Sequence, residues 1–383
     1  MSFLSDAVNE INPILRAILF VGFSFVLSLI FSLLVQKLGL MLEAYAEENK
    51  RTVHHGKIVR IGGLAIYFAF LISLMIFFKS DKTINAILVG SFIIFITGFI
   101  DDLYNLKPLV KFGLQIIAAV YVVLVGNIQL DMVHMFTFDI NVSFISIFIS
   151  IFWIVGVTNA INLIDGLDGL SCGISSIVIC VIGFIAYLTR RIDLTVLSLF
   201  LLGSILGVLP FNFYPAKMFV GDCGALFMGF MIACLSILGF KSSTFITLGF
   251  PVMMLSVPIT DTLVAILRRV IKGQSVGEAD KSHVHHILMY KIGFSHRNTV
   301  ILLYIVTGLF AADAILTFYY EDIGLIILAI LIFCMWMFIE LTGMINPKFH
   351  PIISCVRAIF KHPVKSDSAF FEANKINHRE DNK

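Results

Sequence analysis

Long apolar runs follow one another along most of this chain, separated by short polar segments. Eleven of them approach the ~20 residues that a helix needs to cross a bilayer. They cover residues 17–35, 61–78, 84–100, 112–125, 142–157, 170–188, 194–209, 218–240, 245–267, 298–318 and 323–339. They lack the strict alternation of the ~10-residue strands in a membrane β-barrel, and helices satisfy their own backbone in lipid. The pattern predicts an all-α, polytopic membrane protein with about eleven transmembrane helices.

Composition supports the same class. Of the 383 residues, 59% are hydrophobic and 14% are charged, and the mean hydropathy is +0.98. A soluble domain carries roughly 25% charged residues, so a soluble globular protein is excluded. The net charge of +2 points to no class of partner, and we expect no nucleic-acid partner.

Basic residues predict how the helices are oriented. With the eleven runs as spans, 21 of the 27 Lys and Arg residues fall in the C-terminal tail and in the loops on its side. Because Lys and Arg accumulate in cytoplasmic loops, the N-terminus is predicted outside and the C-terminus in the cytoplasm. Residues 1–345 are expected to form a single integral-membrane domain, followed by a polar cytoplasmic tail at 346–383.

Carboxylates and histidines collect at the face that is predicted to be cytoplasmic. Acids at the end of a membrane span are costly unless they are paired or bound to a metal. The polar residues at this face include Asp101, Asp102, Asn162, Asp165, Asp168, Asp222, Asp261, Asp280, His283, His285 and His286. Their convergence predicts a divalent-metal site.

Two adjacent acids, Asp101 and Asp102, end the third run. The helix dipole is already negative at a C-terminus and disfavours another anion by roughly 0.3–1 kcal/mol. Adjacent acids also repel each other, so a metal ion or the nearby Lys107 and Lys111 are the expected partners. An ordinary solvated helix end is the alternative.

The segment at 159–169, NAINLIDGLDG, has the most specific pattern. Asn162, Asp165 and Asp168 are spaced by three, so a helical turn would place their side chains on one face. The two glycines let a ligand approach the backbone closely. An Asx cap on the next helix would explain one aspartate but not two acids with two asparagines, so ligand binding is the preferred interpretation.

Asp222 opens the eighth run, directly after Gly221. A helix N-terminus favours an anion or a bound phosphate, and a plain N-cap is the alternative. Mg²⁺ prefers one or two carboxylates together with waters and substrate phosphates. Asp222 and Asn162 are therefore predicted as Mg²⁺ ligands close to Asp101, and Mn²⁺ is an ion that could replace Mg²⁺.

A long cytoplasmic stretch begins at Arg268 and ends in three histidines, His283, His285 and His286. It lacks the Cys or acid spacing of a structural zinc site, so phosphate or sugar binding is preferred. Cationic or hydrogen-bonding groups around a diphosphate stabilise charge during phosphoryl transfer. A solvated basic loop is the alternative. Asp261 is interpreted as a salt-bridge partner for a neighbouring helix instead of a catalytic group.

Six segments in a fixed order carry a family resemblance. They are GGLAIY (62–67), DDLYNLKPLVKFGLQ (101–115), NAINLIDGLDGL (159–170), FNFYPAKMFVGDCGAL (211–226), PITDTLVAILRR (258–269) and DKSHVHH (280–286). Together they resemble the polyprenyl-phosphate N-acetylhexosamine-1-phosphate transferases. The HxHH form is similar to the WecA/TagO-type branch, which initiates glycan and teichoic-acid synthesis. It is less similar to the muramoyl-pentapeptide branch, which usually has three consecutive histidines.

The resemblance implies a specific reaction. Undecaprenyl phosphate would attack the sugar-linked phosphorus of a UDP-N-acetylhexosamine, with UDP-GlcNAc as the main candidate, and release UMP and a lipid-linked diphospho-sugar. It also implies that residues 1–345 form an Mg²⁺-dependent catalytic domain in the bacterial inner membrane, facing the cytoplasm. Relatives often dimerise, so a homodimer is among the expected assemblies. The sugar, and the choice between direct attack and a covalent aspartate intermediate, stay open.

The resemblance also assigns roles to individual residues. The metal ligands would be Asp222 and Asn162. The catalytic residues, which would handle the phosphates and the nucleotide, would be Asp101, Asp102, Lys111, Asp165 and Asp168. The substrate-binding residues, mainly for the sugar diphosphate, would be Asn159, Arg268, His283, His285 and His286.

Three other protein classes compete with this interpretation. A secondary transporter would place its ionisable groups near the bilayer midplane in broken helices, whereas here they collect at one face. A CDP-alcohol phosphotransferase also uses several aspartates and Mg²⁺, but its DGxxAR spacing is missing because Gly169 is followed by Leu170, Ser171 and Cys172. A muramoyl-pentapeptide-phosphate transferase is the alternative within the same superfamily.

Overall fold

The computed structural model describes residues 12–46, 58–79, 81–130, 142–239, 249–273, 283–345, 351, 352 and 354. Its helices are α1 (Pro13–Met41), α2 (Gly63–Phe77), α3 (Lys82–Tyr104), α4 (Pro108–Val125), α5 (Val142–Ile164), α6 (Leu170–Leu188), α7 (Ile192–Asn212), α8 (Gly221–Gly239), α9 (Gly249–Met254), α10 (Ser256–Ile271), α11 (Val284–His286), α12 (His296–Tyr319) and α13 (Glu321–Thr342). A π-helical segment, Ile287–Lys291, follows α11. Two short strands, β1 (Tyr45–Ala46) and β2 (Ile58–Val59), pair antiparallel.

Nine helices in the described part of the chain are long and apolar enough to cross a membrane: α1, α3 to α8, α12 and α13. The predicted second span is the shorter apolar helix α2, and the predicted ninth span corresponds to two consecutive helices, α9 and α10. The predicted class, an all-α polytopic membrane protein, is confirmed. The count of eleven spans and their orientation stay predictions.

Helix α8 is the core of the first compact unit, residues 1–329. Its residues from Cys223 to Leu238 are all buried, and α2, α3, α5, α6 and α7 pack against it. Glycines on its neighbours allow this close packing. A Cβ at Gly98 of α3 would lie 2.5 Å from the Asp222 carbonyl oxygen, and one at Gly63 of α2 would lie 2.1 Å from the Gly224 nitrogen. The first turn of α8 is therefore held between two neighbouring helices.

Small residues form the contact between α1 and α7. Ser24, Ser28 and Ser32 are buried on α1, and Ser28 Oγ donates a hydrogen bond to the Ser204 carbonyl oxygen at 2.6 Å. A Cβ at Gly207 would lie 2.5 Å from Ser28 Cβ. Small residues at such contacts let membrane helices approach closely.

The substitution Gly207→Ala is expected to destabilise the protein by about 1–3 kcal/mol, because the added methyl group overpacks the contact between α1 and α7. Thermal unfolding in detergent measures this loss. Gly22→Ala on α1 is the matched control, since a Cβ there has no atom within 4 Å and alanine favours the helix by roughly 1 kcal/mol. Equal unfolding temperatures for the two variants would contradict this account of the contact.

The second compact unit comprises residues 330–383. In its described part, Trp336 Nε1 donates to Glu340 Oε1 at 2.5 Å, and Ile352 N donates to the same oxygen at 3.0 Å. The buried carboxylate of Glu340, near the end of α13, thus accepts hydrogen bonds from both groups. Most of the predicted tail at 346–383 lies outside the described residues, so the division at residue 345 stays a prediction.

Candidate active site

Asp101, Lys111, Asn162 and Asp222 meet at the ends of four helices, α3, α4, α5 and α8. Lys111 Nζ lies 3.0 Å from Asp101 Oδ2 and 3.5 Å from Asn162 Oδ1, and it also contacts Asp222 Oδ2. Asn162 Nδ2 donates to Asp222 Oδ1 at 2.9 Å. Three oxygens from three helices thus converge on a single cationic nitrogen. We call these four residues the acid–lysine cluster.

The acid–lysine cluster is partly open to solvent. The side chains of Asp101, Lys111 and Asp222 are 14%, 17% and 26% exposed. The carboxylates of Asp101 and Asp222 both contact Lys111 Nζ, so they lie close enough to repel each other. The ammonium group between them offsets that repulsion. With two carboxylates and one ammonium group, the cluster retains a net negative charge and therefore attracts a further cation.

Asp102 has a different environment from its neighbour Asp101. It is 7% exposed, and its two oxygens accept hydrogen bonds from the backbone nitrogens of Asp222 at 2.8 Å and Cys223 at 2.9 Å. The carboxyl group of Asp102 therefore occupies the N-terminus of α8, where the sequence predicts an anion or a bound phosphate. Gly221, with φ +72°, makes the sharp entry into the helix possible. Asp102 thus fixes the backbone that carries Asp222.

The predicted alignment of Asn162, Asp165 and Asp168 on one helical face is wrong. Helix α5 ends at Ile164, so only Asn162 is helical, and both aspartates lie in the turn before α6. Gly169 closes this turn with φ +80°, a left-handed conformation that glycine adopts without strain. The three polar side chains therefore have separate partners.

Asp165 pairs with Ser171, whose Oγ donates to Asp165 Oδ1 at 2.5 Å. Burial raises the pKa of Asp165 to about 8; the hydrogen bond from Ser171 opposes this shift, and the nearby carboxylates of Asp222 and Asp102 add to it. At neutral pH Asp165 is therefore mostly protonated. A cation bound close to these carboxylates would favour its ionised form.

Asp168 is buried and holds the segment that leads into α8. Its Oδ2 accepts from the Ala216 nitrogen at 3.0 Å, and its backbone nitrogen donates to His296 Nε2 at 3.0 Å. The His296 ring stacks on Tyr214 with centroids 4.5 Å apart. Sequence reasoning assigned no role to His296 or Tyr214. The one available signal was that His296 follows His283, His285 and His286 in the same polar stretch.

Asn159 lies one helical turn from Asn162 but contacts α4. Its Nδ2 donates to Gln115 Oε1 at 2.5 Å and to the Val155 carbonyl oxygen at 2.8 Å. Gln115 is buried, so this amide pair stabilises the packing of α4 against α5. The predicted role of Asn159 in substrate binding stays a prediction.

Residues 283–286 form a segment that we call the histidine loop, and its three histidines have three different surroundings. His283 Nδ1 lies 2.8 Å from Asp261 Oδ2. The His285 ring packs on Gly166, where a Cβ would lie 2.4 Å from His285 Nε2. His286 stacks on Tyr290, with ring centroids 5.7 Å apart. The loop is therefore docked both on α10 and on the turn that carries Asp165 and Asp168.

The buried position of His285 determines its charge. Burial lowers the pKa of His285 to about 3, and the neighbouring His286 contributes to this shift. His285 is therefore neutral at physiological pH. The neutral ring can offer a diphosphate a hydrogen bond, and an adjacent diphosphate would itself raise the pKa of His285.

Helix α10 carries charged residues that are buried. Asp261, Arg268 and Arg269 are all buried in the structure, and Arg268 follows Asp261 by about two helical turns on the same side of α10. The helix packs against α5 and α12. Arg268 is thus held on the same helix that holds the histidine loop.

The oxygens of the acid–lysine cluster fit a magnesium ion. The ranges that the structure describes contain no group of three or more His, Cys, Asp or Glu side chains arranged to hold a metal. Mg²⁺, however, binds through one or two carboxylates and keeps its remaining positions for waters and substrate phosphates. The carboxylates of Asp101 and Asp222 and the amide oxygen of Asn162 already converge on one cation, the Lys111 ammonium group. This donor set suits a hard cation of that kind.

Comparisons with known proteins identify the family of this chain. The family described as glycosyl transferase family 4 matches residues 84–240, a range that contains the whole acid–lysine cluster. A Bacillus subtilis protein named probable undecaprenyl-phosphate N-acetylglucosaminyl 1-phosphate transferase is 38% identical over 341 residues, which are 87% of this chain and 94% of the relative.

Two further relatives are more distant. The decaprenyl-phosphate N-acetylglucosaminephosphotransferase of Mycobacterium leprae is 35% identical over 75% of this chain and 80% of its own length. A phospho-N-acetylmuramoyl-pentapeptide-transferase of Streptococcus pneumoniae is 31% identical, but over only 49% of this chain and 62% of the relative. The chain therefore belongs to glycosyl transferase family 4 and, within it, to the polyprenyl-phosphate N-acetylhexosamine-1-phosphate transferases of the WecA/TagO type.

Proposed function

We propose that this protein transfers GlcNAc-1-phosphate from UDP-GlcNAc to undecaprenyl phosphate, releasing UMP and starting the synthesis of a cell-envelope glycan. The names of the relatives that match over most of their length support the lipid acceptor and the sugar. The observation that carries the proposal is the convergence of Asp101, Lys111, Asn162 and Asp222 at the ends of membrane helices. At such a position a lipid phosphate can meet a water-soluble nucleotide sugar.

The reaction brings two anions together, which sets the task of the site. An oxygen of the lipid phosphate forms a bond to the sugar-linked phosphorus, and the bond from that phosphorus to the phosphate oxygen of UMP breaks. Catalysis of phosphoryl transfer is mainly positioning and offsetting of charge. Lys111 is the proposed positive charge beside the reacting phosphates, and Arg268, which is buried on α10, is proposed as a second cation on the donor side.

Mg²⁺ is the proposed cofactor, held by Asp222, Asn162 and Asp101, and Mn²⁺ is its proposed substitute. When bound, the ion would offset the negative charge of the donor diphosphate. Asp102 keeps the first turn of α8, and with it Asp222, in place through two backbone hydrogen bonds. We also propose that the turn with Asp165 and Asp168 forms the nucleotide side of the site.

The proposed location is the bacterial cytoplasmic membrane, with the site facing the cytoplasm. Support comes from the excess of Lys and Arg in the loops on the same side of the membrane as the acid–lysine cluster. The cluster lies at helix ends, Asp101 near the end of α3 and Asp222 near the start of α8. A transporter would have its ionisable groups near the bilayer midplane. Homodimer formation stays a prediction.

Purified protein is expected to release UMP from UDP-GlcNAc and undecaprenyl phosphate only when Mg²⁺ or Mn²⁺ is present. Removal of the ion by a chelator should lower the rate by about 10²-fold or more, because metal-ion catalysis contributes several kcal/mol, and added Mg²⁺ should restore it. The rate of UMP release measures both the loss on chelation and the recovery with added Mg²⁺.

The same assay tests which donor the protein uses. UDP-GalNAc and UDP-MurNAc-pentapeptide serve as competing donors. A preference for the pentapeptide donor would favour the muramoyl alternative, and no turnover of any UDP-sugar would refute the proposed function.

A further inference from the structure

Asp261 on α10 binds the histidine loop through both oxygens of its carboxylate. Oδ2 lies 2.8 Å from His283 Nδ1, and Oδ1 accepts a hydrogen bond from the Val284 backbone nitrogen at 2.8 Å. The side chains of His283 and Asp261 are 8% and 2% exposed. The loop is thus attached to α10 at the residue where its first helical turn begins, by a contact from which water is largely excluded.

This contact determines which ring nitrogen of His283 carries the proton. An ionised carboxylate has only acceptor positions, so His283 Nδ1 must carry the hydrogen that lies between the two groups. The other ring nitrogen, Nε2, is then left for a further partner, as an acceptor in the neutral ring or as a donor in the cationic ring. Asp261 therefore fixes both the rotamer and the tautomer of His283.

The same contact connects the loop to two other parts of the site. The rings of His283 and His285 are parallel, with centroids 5.8 Å apart, and His285 packs on Gly166 in the turn after α5. Arg268 lies about two turns after Asp261 on α10. A displacement of His283 would therefore also move His285 away from the turn that carries Asp165.

We propose that Asp261 is a positioning residue for the nucleotide-sugar donor. It holds the histidine loop so that His283 offers Nε2 to the diphosphate or sugar of the donor, while Asp261 itself does not contact the substrate. This inference rests on the proposed function and extends it to a residue 22 positions before the histidine that it orients.

The substitution Asp261→Asn tests the proposal through a difference between the two substrates. An asparagine side chain replaces one of the two acceptor oxygens by an NH2 donor, so if its oxygen still accepts from Val284, the NH2 group faces His283 Nδ1 and removes the acceptor that held the proton there. We expect kcat/KM for UDP-GlcNAc to fall about 10–100-fold, by analogy with the loss on replacing the partners that orient metal-ligating histidines. The KM for undecaprenyl phosphate should stay within about 2-fold, because the loop serves the donor side.

A double variant separates positioning from an independent effect. If Asp261 acts through His283, the combination of Asp261→Asn with His283→Gln should be no more than about 2-fold slower than His283→Gln alone. Multiplying effects would overturn the proposal, as would a wild-type kcat/KM for UDP-GlcNAc in a folded Asp261→Asn protein. Asp193→Asn is the matched control, since Asp193 is a partly exposed acid paired with Arg191; its kinetics should equal those of the wild type.

Two His283 variants test the contact even if Asp261→Asn fails to fold. In His283→Asn the amide nitrogen takes the place of Nδ1 and can still donate to Asp261, whereas the amide of His283→Gln takes the place of Nε2. We expect the thermal unfolding midpoint to stay within about 2 °C of the wild type for the first variant and to fall for the second. Equal falls in the unfolding midpoint of the two variants would overturn the proposal that Asp261 holds the loop through His283 Nδ1. Failure of the wild type to release UMP would refute the proposed function, while these unfolding measurements would still test the contact.

Discussion

The variant Asp222→Asn is expected to lose about two to three orders of magnitude in kcat, the range found when a group that stabilises transition-state charge is removed. Asp222 Oδ2 contacts Lys111, and Oδ1 accepts from Asn162. An asparagine would keep the shape of the side chain but remove the negative charge that attracts a divalent cation. UMP release across a Mg²⁺ titration measures the effect, and the concentration of Mg²⁺ for half-maximal rate should rise as well.

The protein should still fold when Asp222 is replaced, because its side chain is not what anchors α8. That helix is held by Asp102, which binds the backbone nitrogens of residues 222 and 223. Asp101→Asn changes a second acid of the cluster and should also lose turnover while folding. Asp193→Asn, remote from these contacts, should behave as the wild type. Near-normal UMP release by a folded Asp222→Asn protein would contradict the metal-binding role.

The membrane helices could be predicted because lipid leaves the chain few alternatives. An apolar run of sufficient length must satisfy its own hydrogen bonds, so run length alone indicates α1, α3 and α8 with useful accuracy. The division of the predicted span at 245–267 into α9 and α10 could not be predicted in this way. Hydropathy does not register the local cause of the break: Pro258, in the first turn of α10, has no N–H to donate to the Met254 carbonyl oxygen.

The separate roles of Asp101 and Asp102 show where sequence reasoning stops. Both acids end the same helix, but adjacent residues on a helix point about 100° apart. One side chain therefore contacts Lys111, and the other contacts the backbone at the start of α8. The sequence predicts that two acids at a helix end need partners. Only the tertiary packing of α3 against α8 decides which acid takes which partner.

The segment after α5 shows a second kind of failure. A spacing of three between Asn162, Asp165 and Asp168 predicted one helical face, but the helix ends at Ile164. The sequence predicts that the glycines at 166 and 169 give a ligand access to the backbone, which stays a prediction; in the structure Gly169 closes the turn with φ +80°, and Gly166 provides room for the His285 ring. The contact between Asp261 and His283 lies beyond any local pattern, because the two residues approach only after α10 and the loop have folded together.

Replacing Lys111 with methionine should lower both the stability of the metal-free protein and the turnover. A lysine with a purely structural role would affect the stability alone. The variant lacks the ammonium group that lies between Asp101 and Asp222. The free energy of unfolding of the metal-free protein should therefore fall by about 2–3 kcal/mol, somewhat less than the 3–5 kcal/mol for breaking a fully buried pair. Turnover should fall by about 10²-fold, because a charge beside the reacting phosphates is lost. The rate of UMP release with Mg²⁺ present measures the loss of turnover. Thermal unfolding in the absence of Mg²⁺ measures the loss of stability.

Added Mg²⁺ should stabilise Lys111→Met more than it stabilises the wild type. In the wild type the divalent ion must compete with the ammonium group for the same three oxygens of Asp101, Asn162 and Asp222, whereas in the variant these oxygens are available. Because a ligand stabilises the folded state by RT ln(1 + L/Kd), where L is the free ligand concentration, a lower Kd gives more stabilisation at the same concentration. The Mg²⁺-dependent rise in unfolding temperature should therefore be larger in the variant. Lys107→Met, at an exposed position four residues earlier, should show the wild-type rise. An equal rise in all three proteins would mean that Mg²⁺ and the Lys111 ammonium group do not share a site.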